Sequence, residues 1–240
     1  MLMLKKLLFS SLFAVLSLSF CFAADKTSDA NKEALQKLQD FIGEWKGNGG
    51  PPTNSKASKQ PIWTEIFQWG WRFKGEDSWL TLEVKNGKFF KNGELKWVPE
   101  KKIYQFTVSD LKDNKMVFDG KLNKDILTLE RIDPKTKETQ KLEMNNAAEG
   151  VRFIYNYSHK EQGKTLFIKD YMVAATKSGM SLGAKEKKTE CVVSGGLGTM
   201  PVSFKGETYY VCCSGCKDAF VENPEKFIKE FKAKKAAGGE

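Results

Sequence analysis

From Phe41 to Ala175 the chain is written in short runs of β-branched and aromatic residues broken by turn signals. The runs that predict strands are Ile42–Gly47, Ile62–Phe73, Ser78–Val84, Gly93–Val98, Ile103–Ser109, Met116–Leu122, Ile126–Ile132, Thr139–Met144, Val151–Ser158 and Thr165–Ala175. Asn86-Gly87, Asn92-Gly93, Asp113-Asn114, Asn123-Lys124-Asp125, Asp133-Pro134 and Gln162-Gly163 read as the turns between them. The period is two: Val151, Phe153, Tyr155 and Tyr157 share one face, and Arg152, Asn156 and Ser158 share the other. Ten consecutive strands joined by short turns bury their edges most easily by closing, which predicts an up-and-down β-barrel. All six tryptophans lie in this stretch.

The flanks have other patterns. Ala34, Leu35, Leu38, Phe41 and Ile42 recur at helical spacing, predicting a short amphipathic helix to about Asp40. Thr176 to Glu190 is polar and reads as a linker. Beyond it, Val202–Phe204 and Thr208–Cys213 predict a hairpin turning at Lys205-Gly206, and Ser214 is positioned to cap a helix over Gly215–Val221. Asn223-Pro224 then opens a second helix, with Phe227, Ile228 and Phe231 on its apolar face. At the other end, Lys5 and Lys6 precede the apolar stretch Leu7–Phe20, which ends in Cys21-Phe22-Ala23. That is the layout of a cleaved secretory signal, too short and too Ser-interrupted for a membrane span. The expected organisation is a signal peptide over 1–23, a barrel over 24–177, a linker over 178–188 and a small module over 189–236. The fold class is mainly β, with a small α+β module at the C-terminus.

Charge and composition narrow the function. The net charge of +9 falls to +7 without Lys5 and Lys6, and only Arg72, Arg131 and Arg152 among the basic residues are arginines. Lysine spread along a chain is a poor substitute for the bidentate arginines that read guanine and phosphate, so no nucleic-acid partner is expected. The charge reads as solvated surface with a weak attraction to anionic membranes. No second apolar stretch reaches membrane length, and no stable insertion is expected after signal cleavage. His159 is the only histidine, which removes His-pair mechanisms, His-rich metal sites and HExxH. Gly195-Gly196-Leu197-Gly198 lacks the spacing of a dinucleotide loop, and no Walker loop is present. The protein is therefore expected to be periplasmic or secreted, and not an enzyme.

The candidate chemistry is confined to the last segment. Cys191, Cys212, Cys213 and Cys216 all lie there, and the barrel has no cysteine. The hairpin returns Thr208–Cys213 beside Cys191, while Cys216 falls in the first turn of a helix, where backbone N–H groups stabilise a thiolate. Thiolates converging from a knuckle and a helix start suit a soft metal ion, Zn(II) or Cu(I). Cys212 and Cys213 are neighbours on a strand, so one of them at most joins Cys191 and Cys216 easily. Cys212 is the expected ligand, and Cys213 an optional fourth ligand or a buried thiol. Two other readings stand beside the metal: structural disulfides in an oxidising compartment, and redox chemistry at Cys216 with Cys212 or Cys213 as resolving thiol.

Two resemblances bear on this. Cys191-Val192-Val193-Ser194-Gly195, Tyr209-Tyr210-Val211-Cys212-Cys213-Ser214-Gly215-Cys216-Lys217, Phe220 and Asn223-Pro224-Glu225-Lys226-Phe227 resemble a YHS/TRASH domain over roughly the last 50 residues. The resemblance implies a treble-clef-like fold, a role in heavy-metal binding, sensing or trafficking, and Cys191, Cys212 and Cys216 as ligands. Val192 departs from it, standing where a proline often follows the first cysteine. The barrel opens with Gly43-Glu44-Trp45-Lys46-Gly47 after a short helix, which resembles the calycin-type barrels: lipocalins, fatty-acid-binding proteins and haem-binding nitrobindins. That resemblance implies a cup for a small apolar ligand with Trp45 at its base; the alternative is an interior filled by its own aromatic residues. A haem site needs an inward histidine, and His159 reads as a solvated residue of the hairpin turn before the last strand. The leading expectation is an exported protein that holds a soft metal for trafficking, storage or detoxification. The alternative is a lipocalin-like carrier with structural cysteines.

Overall fold

A computed structural model describes residues 30–52, 62–148, 150–180 and 189–237. The expected signal peptide and most of the expected linker lie outside them. Ten antiparallel strands close into one barrel: β1 (Gly43–Gly50), β2 (Trp63–Lys74), β3 (Asp77–Lys85), β4 (Phe90–Val98), β5 (Ile103–Asp110), β6 (Lys115–Asn123), β7 (Ile126–Ile132), β8 (Thr139–Ala147), β9 (Arg152–Lys160) and β10 (Ile168–Lys177). Each strand pairs with its neighbours in sequence, and β10 closes the ring on β1, with Trp45 opposite Lys177 and Gly49 opposite Val173. Closure leaves no edge to aggregate.

Alternation puts one aromatic or aliphatic side chain in two into the interior. On β2 these are Phe67, Trp69 and Trp71, each no more than 2 % exposed. Trp45 and Phe153 pack with ring centroids 5.3 Å apart, and Phe67 meets Phe153 at the same distance. Inside the barrel, the void lined by Glu65, Phe67, Phe106, Phe153 and Tyr155 holds about 20 Å³. A water molecule needs roughly 10–15 Å³, so the space suits one water rather than the apolar ligand implied by the calycin resemblance. Glu65 is buried here, its carboxylate accepting hydrogen bonds from the Tyr155 hydroxyl at 2.6 Å and Trp63 Nε1 at 2.8 Å.

The structure corrects several local readings. Asn92-Gly93 is not a turn: both residues are inside β4, and Gly93 is required because a Cβ there would lie 2.6 Å from the Phe106 ring. The turn in that region is Asn86-Gly87, where Asn86 takes the left-handed conformation at φ 57°. β10 begins at Ile168 rather than Thr165. His159 sits on β9 rather than in the turn, because the ladder continues past it, pairing it with Gln140 and Ile168; its ring nitrogen Nδ1 is 2.8 Å from Asp170.

One end of the barrel is closed from below. α1 (helical over the described residues 30–36) and the 3₁₀ turn Gln39–Phe41 cover it. Leu35, Leu38 and Phe41 point into the core, and Tyr104 donates its hydroxyl to the Ala34 carbonyl at 2.7 Å. The C-terminal module rests against the same end. It consists of a hairpin, β11 (Met200–Phe204) and β12 (Glu207–Val211), and two helices, α2 (Ser214–Glu222) and α3 (Pro224–Ala237). Its buried residues, among them Val192, Val193, Val211 and Phe220, join the barrel interior in one continuous apolar cluster.

Candidate metal centre

Three structural elements deliver the thiols. Cys191 opens a tight loop closed by hydrogen bonds from Cys191 N to the Gly196 carbonyl and from Gly195 N to the Cys191 carbonyl, at 2.6 and 2.9 Å. The Val192 amide donates to the Tyr210 carbonyl at 2.8 Å, so the loop is pinned to β12 and the first cysteine is carried to the last. β12 ends at Val211, and Cys212 and Cys213 form the bend that leads into α2. Cys216 lies in the first turn of α2, as its spacing predicts. The expected cap, however, moves by one residue. Ser214 is already helical, and Cys213, with extended backbone at φ −157° and ψ 170°, is the N-cap.

The Sγ atoms of Cys191, Cys212 and Cys216 all lie within 4.8 Å of one another, and Cys212 and Cys216 are 3.5 Å apart. Zinc–thiolate bonds of about 2.3 Å in tetrahedral geometry imply sulfur–sulfur separations of about 3.8 Å, so the cluster matches a single ion with little adjustment. Cys191 and Cys216 are fully buried, and Cys212 is partly exposed. Soft sulfur donors with no imidazole and no carboxylate in the set select Cu(I) or Zn(II) over hard ions.

The neighbouring sulfurs and burial act on the thiols in opposite directions. Hydrogen bonds from Cys212 and then Cys216 hold the Cys191 thiol well below the ordinary range, against the opposing effect of burial. Burial, with the neighbouring sulfurs, pushes Cys216 up. The Ser194 amide also donates to Cys191 Sγ, at 3.4 Å. Ser194 also places its hydroxyl 3.3 Å from Cys212 Sγ.

Cys213 lies between the cluster and the barrel. Its sulfur lies 3.9 Å from Cys212 Sγ but accepts the backbone N–H of Trp71 on β2 at 3.3 Å. The reason lies in the barrel register: β1 begins at Gly43, opposite Trp69, so Gly70–Lys74 of β2 pair only with β3. The start of α2 occupies that unpaired flank. Gly215 is needed at the contact, since a Cβ there would fall 1.7 Å from the Trp71 carbonyl oxygen. Around it, Phe73 meets Phe227 at 6.3 Å, Lys32 pairs with Glu230 at 3.0 Å, and Gln36 donates to the Ser194 carbonyl at 2.9 Å. The metal loop and the barrel floor are therefore in direct contact.

Sequence reasoning missed Lys177. It sits at the end of β10 with its ammonium 4.9 Å above the Trp45 ring and 3.3 Å from the Asp40 carbonyl. Burial lowers its pKa, and the charges of Asp40 and Cys212 oppose that shift. The cluster thus has a cation within electrostatic reach, supplied by the barrel rather than by the module. The adjacent Ser178 is anchored too, its hydroxyl and amide each 2.8 Å from Glu44 oxygens. No signal marks Lys177 in the sequence, because its place beside Trp45 and Asp40 is set only by barrel closure.

No protein-family model matches the chain, and no curated protein does. The fold and the site therefore define the class directly: a ten-stranded antiparallel up-and-down barrel followed by a small module with a buried three-cysteine cluster that could hold a metal ion.

Proposed function

We propose that this is an exported metal-binding protein that holds one soft ion, Cu(I) or Zn(II), on Cys191, Cys212 and Cys216 for trafficking, storage or detoxification. The convergence of three sulfurs within 4.8 Å, from a loop, a bend and a helix start, carries the reading. The resemblance of the cysteine segment to YHS/TRASH domains supports it. So does the position of Cys216 at the positive end of α2, together with Lys177, since both offset the charge of three thiolates. Three protein ligands leave a coordination position for a partner's donor, which suits transfer better than permanent structural binding. The barrel serves as scaffold in this reading. Holding rather than transforming is the function in this reading.

The test is the metal content per chain of protein exported and purified without chelator, measured beside Cys212→Ser. Roughly one equivalent of copper or zinc, lost in the variant, is expected for a three-thiolate site. Absence of metal, with a mass lowered by the hydrogens lost to disulfides, overturns the proposal.

A further inference from the structure

The two ends of the barrel differ in a way that the metal centre does not explain. The end away from the module is formed by the β3–β4, β5–β6, β7–β8 and β9–β10 connections and by the start of β2. Among the described residues, five of the eight exposed large apolar side chains lie at this rim: Ile62 (77 % exposed), Leu111 (55 %), Ile132 (67 %), Leu166 (80 %) and Ile168 (54 %). Leu111 and Leu166 lie in loops, and Ile62, Ile132 and Ile168 at or beside strand ends, so all five are gathered at one rim.

Charge is distributed with the same asymmetry. The rim segments 85–91, 109–115, 131–139 and 160–170 contain eleven Lys and Arg against six Asp and Glu. The turns at the module end, 74–77, 98–103, 123–126 and 147–152, contain five of each. Several rim carboxylates are engaged locally, which leaves the excess of cations at the rim unchanged. Asp110 and Asp133 accept backbone N–H bonds within their own turns, Asp113 pairs with Lys91 at 2.7 Å, and Asp170 is held by His159. Phe167 carries the ammonium groups of Lys141 and Lys160 over its ring at 4.3 and 4.8 Å, so apolar and cationic groups are interleaved at this rim.

Separate apolar loop tips among lysines are what an interfacial surface requires. The tips enter the boundary between headgroups and acyl chains, while the ammonium groups remain with anionic headgroups. We propose that this rim docks the protein on an anionic lipid surface, with the barrel axis upright and the cysteine cluster directed away from the bilayer. The contact is peripheral and reversible, and among the described residues no helix is long and apolar enough to cross a membrane. Docking in this orientation leaves the metal end free to meet a soluble partner.

The experiment is co-sedimentation of the exported protein with phosphatidylcholine vesicles, with and without one quarter phosphatidylglycerol, at low and high salt. Binding is expected only with the anionic lipid and should weaken as salt shortens the Debye length below about 10 Å. Leu111→Asp/Leu166→Asp should reduce it by about tenfold or more. Lys112→Glu/Lys164→Glu, which keeps the apolar tips, should also reduce it, by several-fold. Lys232→Glu/Lys235→Glu on α3 should leave it within twofold of wild type. All variants share the same N-terminal residues, so differences among them report the rim alone. Absence of binding, equal binding to both vesicle types, or a loss in the α3 variant but not in the rim variants overturns the proposal.

Discussion

The barrel and the C-terminal module achieve order by different means, although they share one apolar cluster. The barrel has ten strands, a closed ladder and an interior of large aromatic side chains, of which Trp45, Trp69, Trp71, Phe106, Phe118 and Phe153 are almost completely buried. The module has a two-stranded hairpin, two helices and few large buried side chains of its own, Phe220 and Phe227 being the bulkiest. A segment of that size rarely stabilises itself by burial alone. It uses two other resources: thiols that converge on one point, and the free flank of β2. The barrel is held by packing, the module by docking and, under the proposed function, by ligation, and mutations that remove one resource should separate the two regions.

The largest effect is expected in the barrel. Phe153 touches Phe41 at 4.8 Å, Trp45 at 5.3 Å and Phe67 at 5.3 Å, so Phe153→Ala removes the centre of the aromatic stack above the floor. A large-to-small change at such a site costs about 3–5 kcal/mol. Urea denaturation followed by tryptophan fluorescence should show that loss in the main transition, since all six tryptophans lie in the barrel. If the midpoint hardly moves, the barrel is not packing-limited and the contrast fails.

The seam comes next. Gly215→Ala places a Cβ against the Trp71 carbonyl, a backbone atom that moves only if the start of α2 moves. Overpacking of this kind costs about 1–3 kcal/mol. The displacement should lengthen the Trp71 N–H to Cys213 bond and expose the Trp71 amide to hydrogen exchange, while the deeper strands keep their protection. Metal stoichiometry should survive, because Cys216 on α2 and Cys191 and Cys212 on the loop and bend belong to one module that shifts as a unit. Loss of metal together with the seam would show that the barrel positions the ligands as well as supporting them.

The same contrast governs what the chain reveals before folding. Strand order and closure were legible because a period of two, broken by Asn-Gly and Asp-Asn turns, is a local signal repeated ten times. Cys191, Cys212 and Cys216 were legible from spacing, since a hairpin and a helix start return residues to one another over short distances. Gly93 was misread because Asn-Gly inside a strand and Asn-Gly in a hairpin turn look alike. The Phe106 ring that decides between them is brought there by the pairing of β4 with β5. The direction of Cys213 and the role of Lys177 were hidden for a deeper reason. Both depend on where β1 starts relative to β2, a register that only barrel closure sets.

The smallest effect expected lies at the far rim, where neither resource operates. His159 Nδ1 stands between the two Asp170 oxygens at 2.8 and 2.9 Å, and that hydrogen bond, with lesser contributions from the charges of Asp170, Glu138 and Glu161, raises its pKa against the effect of partial burial. A histidine with a raised folded-state pKa contributes stability that is fully present below its unfolded value of about 6.5 and is lost as the pH rises through the folded value. The pair is partly solvated, so its contribution is under about 1 kcal/mol. Thermal midpoints of wild type and His159→Gln should therefore differ most near pH 6 and converge toward pH 8.5. The metal content of the two proteins should be equal at each pH, because the pair is at the opposite end of the barrel from the thiols. A gap that stays constant across that range would mean that His159 acts through packing alone; a gap that widens with pH would mean that the neutral imidazole is the favoured partner of Asp170.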